Sequence, residues 1–588
     1  MAFQVSPGVL VQERDFSSVI PAVATTPAGI AGYFQWGPAD QRILVDSESN
    51  LVQLFGAPDN DTYEYFFSAA NFLSYGNNLQ VVRTVHSSSK NAVAGPTSGN
   101  QSILIKNSEV YDNNTSSGTI AYSGAGATAQ FAAKYAGPLG NSLRIELCDG
   151  TAAFASWSLS GQFAAAPTTS PFAEGYGGTY DEMHIAIIDE DGRFSGLTGT
   201  LLEKYEGVSK ANNARRPDGS SNYYVNVINN ESKYVWWLNH PTGISVHPAG
   251  DGGTYGTISN PGSAFSWNGG VTGGAIYSFL GGTASSPTAD SDIAPSSGNT
   301  VGYGLFADPD FVDVSFLIAG PLDSSASANV ANIAKARVDC VAFVSPAVSN
   351  PTATSATKIA ACETLRNAIG NNSYAFIDTG YKYQYDRYND VWRWVPLNAD
   401  IAGLCARTDL TNDPWWSPAG FNRGQIKGVA KLAFNPTKAE RDYLYARSIN
   451  PVVTLPGEGT VLYGDKTAQT KPSAFDRINV RRLFIVLEKA TSIAAKYQLF
   501  EFNDAFTRAM FVSMVEPFLR DVQSRRGVYD FKVICDETNN TSEIIDSNRF
   551  VADIFIKPSR SINYIQLNFI ATRSGVSFEE ITSLNSPR

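Results

Sequence analysis

The segments FVDVSFLIAG (311–320), ASANVANIAKARV (326–338), VDCVAFVSPA (338–347), TKIAACETLRNAIG (357–370) and SYAFIDTG (373–380) follow one another closely and decide the fold class. The first, third and fifth are apolar runs of strand length, and the second and fourth are long enough for helices. Strands that alternate with helices of this length pair in parallel through right-handed crossovers. Directly after them, YKYQYDRYNDVWRWVPL (381–397) reads as a hairpin turning at Asn389-Asp390.

Toward the C-terminus the periodicity becomes helical. Over residues 478–500, Leu483, Leu487, Ala490, Ala494 and Tyr497 recur at alternating spacings of four and three, which predicts one buried helix face. A second helix is expected to start near Asn503-Asp504, both good N-cap residues. Phe511, Val515, Phe518, Leu519 and Val522 share its apolar face, Ser513, Glu516, Arg520 and Asp521 share the other, and Pro517 is expected to kink it. Three strands are read after it, in YDFKVICD (529–536), RFVADIFIKP (549–558) and INYIQLNFIATR (562–573).

Toward the N-terminus the composition shifts. Residues from about 91 to 300 are crowded with Gly, Ser, Thr and Asn, as in NNTSSGTIAYSGAGATAQ (113–130) and GGTYGTISNPGSAFSWNGG (252–270). Short alternating runs such as Met183–Ile188 and Tyr223–Ile228 between such turns predict all-β structure with long loops. At the start of the chain Phe3, Val5, Val9 and Val11 alternate with Gln4, Ser6, Gly8 and Gln12, a strand with one apolar face. No partner strand follows within hairpin distance, so it must pair far away, in its own chain or in another.

The 588 residues exceed what one hydrophobic core organises, so three or four domains are expected. No apolar run reaches membrane-spanning length, and MAFQVSPGVLVQERDF has no basic segment followed by an apolar stretch, so neither membrane insertion nor secretion is expected. A net charge of −11 disfavours direct nucleic-acid binding. Cys148, Cys340, Cys362, Cys405 and Cys535 are scattered singly, which points to buried thiols in a reducing compartment.

Catalytic and metal-binding patterns are missing. There is no GxxxxGK[ST], HExxH or GxSxG, and His86, His184, His240 and His247 have no ligand spacing. Asp189-Glu190-Asp191-Gly192 starts like a calcium loop but lacks the later ligands, so a hairpin turn is expected there. Asp308, Asp310 and Asp313 read as a solvated loop entering a strand, and Asn539-Asn540-Thr541 as a triplet of little meaning. The cations Arg520, Arg525 and Arg526 have two readings: complementing the helix dipole, or meeting an acidic partner.

The chain resembles the long, multi-domain branch of the contractile-phage tail sheath family. The resemblance is carried by INVRRLFIVLEKA (478–490), AAKYQLFEFND (494–504), TRAMFVSMVEPFLRDVQSRRGVYDFKVICDETNNT (507–541) and FVADIFIKPSRSINYIQLNFIATRSGVSFEE (550–580). SPGVLVQERD (6–15), GYFQWGP (32–38), VDSESNLVQLFGAP (45–58), KYAGPLGNSLRIELCD (134–149), LLEKYEGVSKA (201–211) and DGSSNYYVNVIN (218–229) add to it.

The resemblance implies an α+β multi-domain fold, with an α/β core domain built from both chain ends, inserted β-rich outer domains and extended terminal arms. The expected division is an arm at 1–20, an α/β middle domain from 21–90 plus 305–435, one or two inserted β-rich outer domains within 91–304, and a tube-facing C-terminal core domain at 436–588. The implied function is structural and non-enzymatic, with no cofactor. Protomers form hexameric rings stacked helically around a tail tube, and the rings contract to drive the tube through the host envelope. Implied partners are further copies of the chain, the tail tube protein, and baseplate and tail terminator proteins, in a virion tail assembled in the host cytoplasm. Strand exchange is expected through Phe3, Val5, Val9 and Val11 and through Ile565, Leu567 and Phe569. Glu516, Arg520, Arg525 and Arg526 are expected to face the tube. The alternatives are a capsid or adhesin component, or a hydrolase-like enzyme in 310–435, which the lack of any histidine after His247 disfavours.

Overall fold

A computed structural model describes residues 24–95, 103–114, 129–175, 181–211, 213–239, 275–284, 292–298 and 300–563. Its centre is a six-stranded sheet in the order Ala375–Ile377, Val341–Val344, Phe316–Ile318, Ala28–Gly32, Leu79–Arg83, Arg42–Val45. All neighbours are parallel except the Arg42–Val45 edge strand. The expected crossovers are present as helices Ser324–Arg337 and Ser355–Ile369. Each has a side-chain N-cap, Asp323 accepting from Ala326 N and Thr354 accepting from Thr357 N, which satisfies a backbone donor that the helix itself leaves open. The hairpin also forms, Tyr381–Asp386 pairing antiparallel with Val391–Pro396, with Asp390 at φ 54° in its turn.

The first strand is shorter than its apolar run. Phe311 is 80% exposed, and pairing begins only at Phe316. Asp308 accepts from Asp310 N, and Asp313 pairs with Lys489, so polar contacts hold residues 308–313 as the expected loop.

Among the described residues between 84 and 315 lie two further sheets. One is antiparallel, in the order Ala275–Ser278, Leu143–Cys148, Glu182–Asp189, Thr200–Ser209; the other joins Val93–Ala94, Phe131–Ala133 and Val235–Trp237. They share a core built on Ile145, Ile185, Ile187, Tyr224, Trp237 and Phe279. This region is not all-β. Tyr223–Ile228, expected as a strand, belongs to helix Tyr224–Glu231, whose buried residues are Tyr224, Val225, Val227 and Ile228. Offsets of one, three and four fit a helix face, and over six residues they mimic alternation. Helices Ser108–Asn114, Thr151–Ser156 and Pro171–Gly175 add to the correction.

Asp189 begins a hairpin connection, as expected. Its carboxylate accepts from Ser142 Oγ, Phe194 N and Ser195 N, and the strands resume at Asp189 opposite Thr200. Buried Arg83 stitches this region to the central sheet, donating to the carbonyls of Phe34, Gly37 and Ala136. His184 is a packed core residue, stacked on Phe163 and hydrogen-bonded through Nδ1 to Gly207 N. His86 contacts Ser88, and His240 and His247 lie outside the described residues.

Packing does not break at 436. Leu444, Ile449, Val452, Leu462 and Ala468 enter the same core as the central sheet. The hairpin of Val452–Leu455 with Gly459–Leu462 follows, and Asn450 N donates to Ile377 O beside the edge strand. All five cysteines are buried and free.

Gly32 ends its strand where no side chain fits: a Cβ there would stand 2.2 Å from Tyr65 Cδ1. Gly32→Ala is expected to lower stability by about 1–3 kcal/mol through overpacking. A urea titration with an unchanged slope and a reduced midpoint checks this.

Candidate functional site

Open α/β sheets bind ligands in the crevice beyond the carboxyl ends of their strands. Here the chain fills that position itself. Ser345 follows the Val341–Val344 strand and Asp378 follows Ala375–Ile377, and Ser345 Oγ donates to Asp378 Oδ2 at 2.6 Å. Ser345 Oγ also accepts from the backbone N of Asn398, the first residue of helix Asn398–Thr411. Asn398 Nδ2 donates to Gly320 O beyond the Phe316–Ile318 strand. Two residues further, buried Asp400 pairs with Lys382 at 2.8 Å and accepts from Tyr75 OH. Ser345, inside the stretch 310–435, thus faces a carboxyl and a helix N-terminus.

The C-terminal unit is built on two helices. The first, Ile478–Lys496, buries Leu483, Leu487, Ala490 and Ala494 as the spacing predicts. Tyr497 does not belong to that face: it is the residue beyond the helix end and 72% exposed. The second, Ala505–Ser524, starts at Asp504, whose side chain accepts from Thr507 N. Phe511, Val515, Leu519 and Val522 are buried, Phe518 is partly buried, and the helix continues through Pro517.

The first helix is riveted to the α/β unit. Arg482 Nη2 reaches both carboxylate oxygens of Asp409 in helix Asn398–Thr411. Arg481 lies over the rings of Phe475 and Tyr374, at 3.8 and 4.2 Å from their centroids, and Lys489 pairs with Asp313.

The four residues expected to face a tube divide into two pairs. Glu516 and Arg520 lie on the outer face of the second helix, 3.5 Å apart, four residues along the chain. Arg525 and Arg526 are engaged locally. Arg525 caps the helix C-terminus and pairs with Asp521 at 3.2 Å and Asp413 at 3.4 Å, while Trp415 Nε1 donates to its carbonyl. Arg526 sits in the left-handed region at φ 69°, with its guanidinium 5.4 Å from the Trp416 ring. The Trp415-Trp416 pair is a docking element that sequence reasoning missed.

Beyond the helices, Val528–Ile534 and Asp553–Pro558 form an antiparallel ribbon of two strands, with no third strand among the described residues. Phe531, Val533, Ile554 and Ile556 lean on the core of the second helix, whereas Tyr529 and Phe555 face solvent. Asn540, read as part of a meaningless triplet, is buried and bonds Val551 through both its carbonyl and its amide. Between the helices runs an apolar crest: Tyr497, Leu499, Phe500, Phe502 and Phe506 are all exposed. The third C-terminal strand beyond Asn563 and the exchange residues Phe3, Val5, Val9, Val11, Ile565, Leu567 and Phe569 lie outside the described residues.

Family models match three parts of this architecture. Residues 25–84 match the tail sheath protein Gp18 domain III N-terminal region, 312–468 the phage tail sheath protein central domain, and 470–572 the phage tail sheath C-terminal domain. The chain belongs to the phage tail sheath protein family. It is 35% identical to the tail sheath proteins of Vibrio phage KVP40 and Enterobacteria phage T4, each alignment covering 98% of this chain and 99% of the relative. It is 29% identical to the tail sheath protein of Salmonella phage ViI over 99% of this chain and 98% of that one. Two crystal structures share the fold. The sheath tail protein from Listeria innocua aligns at a TM-score of 0.52 and 10% identity, over 92% of this chain and 97% of that one. That from Desulfitobacterium hafniense aligns at 0.51 and 11%, over 94% and 100%.

Burial pushes the Asp378 carboxyl up to about 8, against the opposing hydrogen bonds from Ser345 and Gly380 N. The folded state therefore binds this proton more tightly than the unfolded chain, whose carboxyl keeps the ordinary value of 3.8. The stabilisation is complete below the unfolded value and is lost as pH rises through about 8. Asp378→Asn is expected to remove this loss, on the order of several kcal/mol between pH 4 and 8, flattening the stability profile relative to the parent chain. Urea midpoints across that range check it.

Proposed function

We propose that this chain is the contractile sheath subunit of a phage tail: it polymerises as stacked hexameric rings around the tail tube and contracts to drive the tube through the host envelope. It catalyses nothing and takes no cofactor in this reading. Its partners are copies of itself, the tube protein, and the baseplate and tail terminator proteins, in a virion tail assembled in the host cytoplasm. Neither nucleic acid nor membrane enters the reading, and no helix among the described residues is long and apolar enough to cross a membrane.

Beyond family membership, the observation that carries the reading is the two-stranded ribbon. A lone pair of strands is marginally stable and leaves ladder groups open on its outer edges. Donated strands would complete it. The N-terminal pattern of Phe3, Val5, Val9 and Val11, and the run of Ile565, Leu567 and Phe569, have the alternation that strand addition needs. About five ladder bonds at roughly 0.5–1.5 kcal/mol each and a few apolar side chains at roughly 1.5–3 kcal/mol each give a gross gain on the order of 10 kcal/mol. Ordering the arm costs about 1–2 kcal/mol per residue, so the net is small for one protomer but repeats along the polymer. The crest from Tyr497 to Phe506 fits the same reading, because contiguous exposed apolar surface marks a contact site. Contraction is then a change between two packings of rigid units that the arms keep connected.

Deleting residues 2–20 is expected to leave a folded, soluble protomer of near-parental melting temperature that forms no tubes by electron microscopy. Ordered tubes from the truncated chain, or failure to fold, would overturn strand exchange through the N-terminal arm. For the tube contact, Arg520→Glu is expected to weaken assembly on purified tubes at low salt, with the difference shrinking as salt screens the charge. Equal assembly at all salt concentrations would move the contact off this helix face.

A further inference from the structure

Asp465 is 2% exposed and lies just past the Val452–Leu455/Gly459–Leu462 hairpin. Its carboxylate collects side chains from widely separated segments. Oδ2 accepts from Ser417 Oγ at 3.1 Å and from Ser561 Oγ at 2.7 Å. Oδ1 accepts from Tyr445 OH at 3.2 Å and from Asn563 Nδ2 at 3.0 Å, and Arg477 Nε stands 3.7 Å away. Asn563 Nδ2 also reaches Tyr445 OH at 3.1 Å.

The two contacts from residues 561–563 are the shortest of these. A buried carboxylate needs donors on both oxygens, and burying one without them is costly. Ser417, Tyr445 and the distant Arg477 offer only long contacts; Ser561 and Asn563 complete the set. The segment passes over the carboxylate. Ser561 and Asn563 turn their side chains to the carboxylate, Asn563 from an exposed position, and Ile562 between them is 82% exposed. Just upstream, Ser559 N donates to Gly527 O and Ser559 O accepts from Asn479 Nδ2. The chain therefore leaves the ribbon at Pro558, crosses the start of helix Ile478–Lys496, and is pinned on the α/β unit before residue 564.

We propose that Asp465 is a positioning residue that seats residues 561–563 as the fixed root of the C-terminal segment, and so sets the direction from which that segment reaches a second copy of the chain. The second clause rests on the strand-exchange reading above; the seat itself does not. A donated strand pairs productively only in one register and orientation, because a one-residue slip turns every side chain to the wrong face. A segment rooted at a seat beside the ribbon starts each encounter from one point and one heading. A segment free from Pro558 onward searches a wider volume at lower effective concentration.

The Arg560–Ser561 bond supplies a direct readout, since trypsin cleaves after Arg560 only when the segment lifts from the seat. In the full-length protomer, Ser561→Ala with Asn563→Ala is expected to raise the cleavage rate at least roughly tenfold, the factor that about 1.4 kcal/mol represents, with little change in melting temperature. These substitutions leave the Ser417, Tyr445 and Arg477 contacts of Asp465 in place, so the fold is kept. Asp465→Asn, which turns one acceptor into a donor, is expected to raise cleavage by less. Under polymerising conditions the double variant is expected to give tubes of irregular diameter, or to require a several-fold higher protein concentration. Unchanged cleavage overturns the seat. Faster cleavage with tubes of parental order and concentration overturns the direction-setting role. Deletion of 564–588 separates the two readings: if it abolishes tubes while the double variant assembles normally, strand exchange stands and this inference fails. If the deletion also assembles normally, C-terminal strand exchange fails, and the direction-setting role with it.

Discussion

Parallel pairing between Ala28–Gly32 and Phe316–Ile318 is the constraint on which the rest of the chain depends. Two segments separated by most of the N-terminal half must lie side by side in the middle of one sheet. The chain between Arg83 and Phe316 therefore leaves the sheet and returns to it, and much of its described part buries its apolar residues in a core of its own. It does so around Ile145, Ile185, Tyr224 and Trp237. The seam between the two cores is closed by Arg83, whose guanidinium answers backbone carbonyls on both sides. With its neighbour strands on either side, the central pair then carries the helices that fill the crevice at the strand ends.

The attachment of the C-terminal unit is electrostatic as much as apolar. Arg482 with Asp409 and Arg481 over two aromatic rings hold the first half of helix Ile478–Lys496, and Lys489 holds a point further along. Buried ion pairs of this kind add little net stability over apolar replacements, yet breaking one half is costly. Their value lies in fixing one geometry. A helix held by directional contacts along one side cannot slide or rotate by small amounts.

Local signals were legible in the sequence where they depend on neighbours along the chain. Asp504 was readable as an N-cap because a cap needs only the next three residues. Leu483, Leu487, Ala490 and Ala494 declared their shared face by spacing alone. Tyr497 kept that spacing but fell beyond the last turn, where periodicity no longer implies burial. The run Tyr223–Ile228 misled for the opposite reason: six residues are too few to separate a period of two from one of 3.6. The Ser345–Asp378–Asn398 cluster and the five side chains around Asp465 were invisible because each draws on elements far apart in sequence. Composition around 91–300 correctly signalled loops and strands, but Gly, Ser and Thr say little about the short helices packed among them. The family resemblance rested on long segments such as 507–541, where helix, ribbon and the Asn540 turn run together, and it holds over nearly the whole chain.

The root of the C-terminal segment also decides where a pull on the chain is felt. Tension applied beyond Asn563 meets Asp465 before it meets the ribbon, and Asp465 is continuous with the hairpin packed against the edge of the central sheet. The load therefore enters the core of the central sheet and bypasses the six-residue strand Asp553–Pro558, which would otherwise be dragged against Val528–Ile534. The ribbon is spared from bearing that traction, and under the strand-exchange proposal its open edges stay available to a donated strand.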